Sequence, residues 1–456
     1  MLRNWLIALV IAIIVIGAVA VAVIYRPAID PLPAGQAPHF DTAMIAHGAE
    51  LAAIGDCGSC HTASGGKPFA GGVAVPTPFG TIYSSNITPD EKTGIGRWSE
   101  AAFERAMQQG VARDGHLLYP AFPYDHFTHV TADDDKALYA FLMTRDPAES
   151  RTPANKLGFP FNVRAILAGW NLLFLHPGPI AEDSSQSAEW NRGRYLAEGL
   201  GHCAACHTPH NGFGAEDASQ AYAGGSVIDG WYVYPIDDKS AAPVKWDAAS
   251  LASYLKSGFA ADHGAAAGPM AQVTAALGEA SDADVTALAT YVASKMQNAS
   301  GKAPPAAAPS PPLTSGDSLA VPQLVKASAD QGETIFATAC SSCHTSGRPL
   351  PYGGVDFHLS TAISADSPQN AINMILFGLP AGATHGPIMP GFAGVLNHDQ
   401  VVAVLGYLRK NFTGKPAWSD ADKLVADTLS GATAVKTYSA DGVERMPGAG
   451  DLRILP

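Results

Sequence analysis

An all-α chain of three tandem helical modules behind one N-terminal transmembrane helix is what this sequence predicts. Three observations carry the expectation. All six cysteines fall in CxxCH motifs, the chain repeats itself around those motifs, and its first residues include a long uncharged apolar run. A length of 456 residues also exceeds what one core usually organises, so several domains are expected.

The apolar run comes first in the chain. Trp5 to Tyr25 reads WLIALVIAIIVIGAVAVAVIY, carries no charge and is bracketed by Arg3 and Arg26. About 20 apolar residues match a hydrocarbon core of roughly 30 Å, whereas the apolar part of a cleavable signal covers about 7 to 15. An uncleaved anchor is therefore expected, with the small residues Ala18, Ala20 and Ala22 keeping a cleaved signal as the alternative. Arg26-Pro27-Ala-Ile-Asp-Pro31-Leu-Pro33 cannot continue a helix and reads as a stalk, so residues 1–36 are expected to be anchor and stalk.

The motifs are Cys57-Gly-Ser-Cys60-His61, Cys203-Ala-Ala-Cys206-His207 and Cys340-Ser-Ser-Cys343-His344. In such a motif two thiols add to the vinyl groups on one edge of a haem, and the next residue's imidazole points at the iron. Three covalent haems c are expected. A zinc site would need paired ligand sets closing one tetrahedron, and these motifs lie more than a hundred residues apart, each with its own histidine. A thioredoxin-type pair or a disulfide framework gives no reason for histidine to follow every time.

Aligned on the motifs, the chain shows an internal repeat. Gly48-Ala-Glu-Leu51, Gly193-Arg-Tyr-Leu196 and Gly332-Glu-Thr-Ile335 precede their first cysteines by 9, 10 and 8 residues and read as opening helices. Glycine loops follow the motifs: Phe69-Ala-Gly71-Gly72, Tyr222-Ala-Gly224-Gly225 and Tyr352-Gly353-Gly354. Middle helices are expected to start at Trp98-Ser99 and Trp246-Asp247 and to end at Gly110, Gly258 and, in the third copy, Gly378. Closing helices start at Thr131, Ser281 and Asn397, all N-cap types, and ten residues on carry Phe141, Tyr291 or Tyr407 on the face expected to meet the opening helix.

Module boundaries follow from composition. The first module is expected over 37–181, the second over 182–298 after the polar stretch EDSSQSA, and the third over 326–412. Residues 299–325 are a Pro/Ala-rich linker that cannot build a core, and 413–456 form a C-terminal tail.

A haem held by one histidine still needs a sixth ligand. Met270 lies 12 residues after Gly258 and Met389 lies 11 after Gly378, both in Gly/Pro loops where a core methionine would be unusual. The first module departs from this register: 12 residues after Gly110 stands Phe122, which cannot bind iron. Met107 and Met143 read as core. His126, 65 residues beyond His61 against 63 between His207 and Met270, is the chosen sixth ligand of the first haem, with His129 and His116 behind it.

Composition limits the function. Net charge is −13, with 28 basic against 41 acidic residues, which argues against a nucleic-acid partner because phosphate binding wants a Lys/Arg excess. No GxGxxG follows a strand, and there is no P-loop or nucleophile elbow, so no catalytic residue is expected on this chain.

With these stretches in hand, the chain resembles the triple-haem cytochrome c subunits of bacterial membrane-bound dehydrogenases. The likeness covers residues 40–412 and rests on TPFGTIYSSNITPD (77–90), TGIGRW (93–98), LYPAFPYDHF (118–127), GPM (268–270) and IMPGF (388–392). It implies three tandem cytochrome c-type haem domains and an electron-transfer role, on the periplasmic side of the plasma membrane, where thioether haem attachment takes place. It also implies a catalytic dehydrogenase subunit as partner and ubiquinone as acceptor. Phe122 in AFPYDHF looks most like the group serving molybdopterin aldehyde dehydrogenases, which add a small iron–sulfur subunit. The groups serving PQQ alcohol dehydrogenases and flavin sugar or gluconate dehydrogenases usually carry methionine there. An independent periplasmic multihaem carrier is a further alternative, and a haem peroxidase using the first site is another.

Overall fold

Capping residues set where the helices begin, as the sequence predicts. The computed structural model describes residues 4–7, 9, 11, 17, 24–36, 38–299, 301, 330–345, 353–379, 388–438 and 444–445. Most of the linker at 299–325, Tyr352 of the third glycine loop, and Gly386-Pro387 before Met389 lie outside the described residues. The chain divides into two units. One comprises Met1–Glu182, Glu198–His202 and Gly212–Ala215, and the other Asp183–Ala197, Cys203–Asn211 and Glu216–Pro456.

In the first unit α1 (Thr42–Ile54) leads to the first motif, and Asp41 caps it by accepting from Met44 N at 2.8 Å. Helix α2 (Glu100–Gln109) starts at Ser99 and ends on Gly110 in the left-handed conformation, as expected. Helix α3 (Ala132–Met143) is capped by Thr131 and crosses α1. Helix α4 (Leu167–Phe174) turns Leu167 and Ala168 into a small core with Val111 and Leu117.

The second unit repeats the plan twice. Helices α5 (Ala188–Glu198), α6 (Ala248–Ser257), α7 (Pro269–Leu277) and α8 (Asp282–Lys295) make one copy, with α6 capped by an Asp247/Ser250 box and ended by Gly258. Helices α9 (Gln331–Ile335), α10 (Gln369–Phe377) and α11 (His398–Thr413) make the next, and α12 (Ala421–Leu429) packs on α10 and α11.

One steric feature positions the opening and closing helices in all three copies. A Cβ added at Gly48, Gly193 or Gly332 would strike the carbonyl oxygen of Ala137, Ala287 or Ala403 and would come within 2.8, 2.9 or 2.8 Å of the Cβ of Phe141, Tyr291 or Tyr407. The absent side chain lets each helix pair approach to backbone contact. The aromatics expected at these crossings are the residues found there.

The expected fold class needs two corrections. Among the described residues no helix is long and apolar enough to cross a membrane. Within the run from Trp5 to Tyr25 the described helical positions are 5–7, 9, 11, 17 and 24, and the other positions up to 23 lie outside the described residues. Tyr25 and Arg26 are already non-helical, as the residue ahead of Pro27 should be.

Nor is the chain all-α; it is mostly helical with short antiparallel strands. β1 (Ala74–Thr77), β2 (Gly80–Tyr83) and β3 (Lys156–Leu157) form a sheet in that order, pairing Val75 with Ile82 and Gly80 with Leu157. Pro76 is tolerated because β1 is an edge strand, and the β-branched Val75, Thr77, Thr81 and Ile82 favour extension. In the second unit β4 (Val227–Ile228) pairs with β5 (Trp231–Tyr232).

The segment expected to be a stalk is fastened to the first unit. Ile29 N donates to Arg113 O at 2.8 Å, Leu32 N donates to Arg97 O at 2.9 Å, and the Arg105 guanidinium donates to Pro27 O at 2.7 Å. The same arginines return donors to the segment's carbonyls, Arg97 Nε to Leu32 O at 3.1 Å and the Arg113 guanidinium to Ile29 O at 3.2 Å.

Candidate functional site

Each CxxCH motif ends in a short helical turn, Cys57–His61, Ala204–His207 and Ser341–His344. None of the six cysteines is bonded to another. Burial, with help from Asp56, pushes the Cys57 thiol up to about 12, and burial pushes Cys340 up to about 11. Among the described residues no group of three or more His, Cys, Asp or Glu converges as a metal cluster would require.

The three motif histidines are held alike. His61 Nδ1 donates to Ser85 O at 2.7 Å, His207 Nδ1 to Tyr234 O at 2.8 Å and His344 Nδ1 to Val355 O at 2.8 Å. An Nδ1–H engaged this way fixes the tautomer and makes Nε2 the nitrogen with a lone pair to give. Burial lowers the proton affinity of all three rings, against the pull of those carbonyls, which favours the neutral ligand form. Two thiols beside one imidazole of fixed tautomer fit covalent haem c at every motif.

Glycine brings the acceptor carbonyls within reach. A Cβ at Gly71 would come within 2.5 Å of Ser85 C and O, one at Gly224 would strike the Tyr234–Pro235 peptide, and one at Gly354 would lie 2.6 Å from His344 Nδ1. Gly71 N and Gly224 N donate back to His61 O and His207 O at 2.7 and 2.8 Å, closing the loop on its motif. Both glycines have positive φ, +71° and +61°.

Sequence reasoning missed Thr62 and Thr208. Their Oγ1 atoms accept from Phe69 N and Tyr222 N, each at 3.1 Å, and so pin two aromatics that adopt positive φ, 62° and 64°. A signal was available, because threonine follows the histidine in all three motifs: Thr62, Thr208 and Thr345. The acceptor Ser85 was also missed. The next residue, Asn86, is buried and donates to Ala148 O at 2.7 Å and Thr93 Oγ1 at 3.0 Å, while its own oxygen accepts from Thr88 N at 2.9 Å. That knot gives 77–90 and 93–98 a structural reason to go together.

The sixth-ligand candidates stand as follows. Met270 sits in the first turn of α7, after Pro269 at its N-terminus, and not in an irregular loop. Met389 forms a β-bridge with Leu379 and packs, partly buried, against the core that Ile335, Leu376 and Leu405 share. Met107 and Met143 are both core residues. Phe122 packs on Phe127, ring centroids 5.2 Å apart. His126 is buried in the short helix Tyr124–Phe127, and its Nδ1 donates to Glu198 O at 2.8 Å, the arrangement the motif histidines share. His129 Nδ1 donates to Gly178 O at 2.5 Å, and His116 pairs with Asp114 at 2.5 Å in an exposed loop.

Comparison with known proteins points the same way. Residues 327–408 match the family described as cytochrome C oxidase, cbb3-type, subunit III. A nicotinate dehydrogenase subunit of Pseudomonas putida is 42% identical over 88% of the chain; the chain spans 33%, about a third, of that longer protein. The fructose dehydrogenase cytochrome subunit of Gluconobacter japonicus is 33% identical, with 90% of the chain and 87% of that protein covered. For the gluconate 2-dehydrogenase cytochrome c subunit of Pantoea cypripedii the identity is 34%, over 91% and 93%.

Proposed function

Since the chain belongs to the family of cytochrome c electron-transfer subunits of membrane-bound dehydrogenase complexes, we propose that it holds three haems c and relays electrons from a catalytic dehydrogenase subunit to membrane ubiquinone. Bound haem supplies a one-electron carrier at each motif. Cys57 and Cys60, Cys203 and Cys206, and Cys340 and Cys343 form the thioethers. His61, His207 and His344 give the fifth ligand, Met270 and Met389 the sixth at the second and third sites, and His126 the sixth at the first. The observation that carries the reading is the shared Nδ1-to-carbonyl bond of the three motif histidines, which aims Nε2 the same way at each site.

The periplasmic side of the plasma membrane suits this chain, because thioether attachment takes place there. The partner is of the molybdopterin type with a small iron–sulfur subunit. Support comes from Phe122, at the register position where the groups serving quinoprotein and flavin dehydrogenases usually carry methionine. A second reading makes the partner a nicotinate-oxidising enzyme, which the name of the 42% identical relative favours.

Purification of the membrane complex with cofactor analysis tests the proposal. Molybdenum and non-haem iron co-purifying with this cytochrome are expected; PQQ or flavin without molybdenum would overturn the choice of partner. Turnover of nicotinate, against aldehydes, separates the two readings.

A further inference from the structure

We propose that the stretch from Lys156 to Leu175 is a docking surface for an anionic phospholipid bilayer. Helix α4 is apolar on both sides. Leu167 and Ala168 face the core, Trp170 packs on Tyr124 with ring centroids 5.9 Å apart, and Asn171 accepts from the Tyr124 hydroxyl at 2.6 Å. Its other side presents Leu172 and Leu173, 70% and 64% exposed; Phe213, whose ring lies 6.0 Å from that of Phe174 on the same helix, is 68% exposed, and Phe159, eight residues before the helix, is 83% exposed. Exposed apolar bulk gathered on one short stretch marks an interaction site more often than chance exposure does.

The patch is held in place. Phe161 packs tilted against Phe79, ring centroids 4.5 Å apart, and its carbonyl accepts from the Tyr119 hydroxyl at 2.9 Å. Arg164 lies 4.6 Å over the Tyr119 ring and donates to Leu117 O at 2.7 Å. Trp170 Nε1 donates to Phe213 O at 3.2 Å, which brings Phe213 to the same face.

Charge selects the occupant. Residues 150–181 contain no Asp or Glu but include Arg151, Lys156 and Arg164, so the acidic excess of a chain of net charge −13 lies entirely elsewhere. Arg151 and Lys156 are exposed. Anionic headgroups attract such a basic stretch and repel the acidic remainder of the chain, which favours this stretch as the one turned toward the membrane. Within the helix the one polar side chain, Asn171, already has its partner, so the outward face offers apolar bulk and no hydrogen bonds. That suits an acyl boundary better than a protein surface, whose interfaces carry about one hydrogen bond per 100–200 Å².

Photocrosslinking from a diazirine-bearing lipid in phosphatidylcholine/phosphatidylglycerol vesicles, mapped by peptide mass spectrometry on the haem-loaded full chain, tests this. Crosslinks are expected on 159–175, falling about tenfold in the Leu172→Glu/Leu173→Glu variant while the haem absorbance stays unchanged. The Arg151→Glu/Lys156→Glu variant, which leaves the packed side of the helix untouched, should lower the labelling and remove its dependence on phosphatidylglycerol. Labelling absent from 159–175, or equal in wild type and both variants, would overturn the proposal. Protection of 159–175 from solvent exchange by the dehydrogenase subunit, without vesicles, would overturn it in favour of a protein interface.

Discussion

Asn370 pairs with both backbone groups of Tyr232: its Oδ1 accepts from Tyr232 N and its Nδ2 donates to Tyr232 O, each at 2.8 Å. A side chain on α10 thus completes the edge of β5. One turn along, the buried Asn373 donates to Gly230 O at 2.8 Å and accepts from Gln369, which also donates to Thr428 Oγ1 at 3.1 Å. Two residues past Tyr232, Tyr234 supplies the carbonyl that holds His207. The network therefore joins the third copy to β5, two residues before the carbonyl that holds the second site's histidine, and a fully satisfied buried network fixes one arrangement.

Truncating the network leaves buried backbone groups unpaired. Asn370→Ala is expected to cost about 1–3 kcal/mol in guanidinium unfolding followed by haem absorbance, with a comparable loss for Asn373→Ala. An unchanged midpoint in both variants would mean that the contact does not form.

The glycine crossings make a sharper claim. Gly193→Ala places a methyl against Ala287 O and the Cβ of Tyr291 and is expected to destabilise by about 3 kcal/mol. Gly212→Ala, where an added Cβ meets nothing within 4 Å, should stay within about 0.5 kcal/mol. Denaturant midpoints of the two variants check the contrast.

Asp135 gives a pH dependence with a definite sign. Burial, aided by Glu104 and Asp134 and opposed by the Gln108 hydrogen bond, pushes its carboxyl from 3.8 up to about 8. Between those values the folded protein keeps the proton and the unfolded chain releases it. Its contribution to stability therefore falls as pH rises from about 4 to about 8 and levels off above. Asp135→Asn should flatten the stability profile across that window. A profile as steep as that of the wild type would reassign the proton.

The sixth ligands predict a spectroscopic division. Met270→Leu or Met389→Leu should remove one methionine-ligated low-spin signal from the oxidised protein and lower that site's potential by on the order of 100 mV, within the roughly 0.8 V that axial ligands command. His126→Ala should alter only the first site's EPR signal. A change on His129→Ala in its place would transfer the role to His129.

Much of this was legible because short-range chemistry writes it. The cap at Ser99, the box at Asp247, the left-handed ends at Gly110 and Gly258 and the aromatics opposite Gly48, Gly193 and Gly332 each follow from a residue's own conformational or steric limits. Strands of two to four residues were not legible, since β3 owes its existence to backbone pairing with residues more than 70 positions earlier. The same holds for Ser85 as acceptor, chosen only once Gly71 lets two backbones meet. Hydrophobicity marked Trp5–Tyr25 but could not say that α4 would keep Leu172 and Leu173 outside, because tertiary packing decides which apolar residues a core takes.

Intact-mass measurement of the purified chain, paired with a reductive titration, decides whether every motif carries a working haem. The mass of three covalent haems and uptake of three electrons per chain are expected, falling to two of each in a Cys340→Ser/Cys343→Ser variant. A wild-type chain with fewer than three haems, or one whose haems accept no electrons from dithionite, would contradict the three-haem relay.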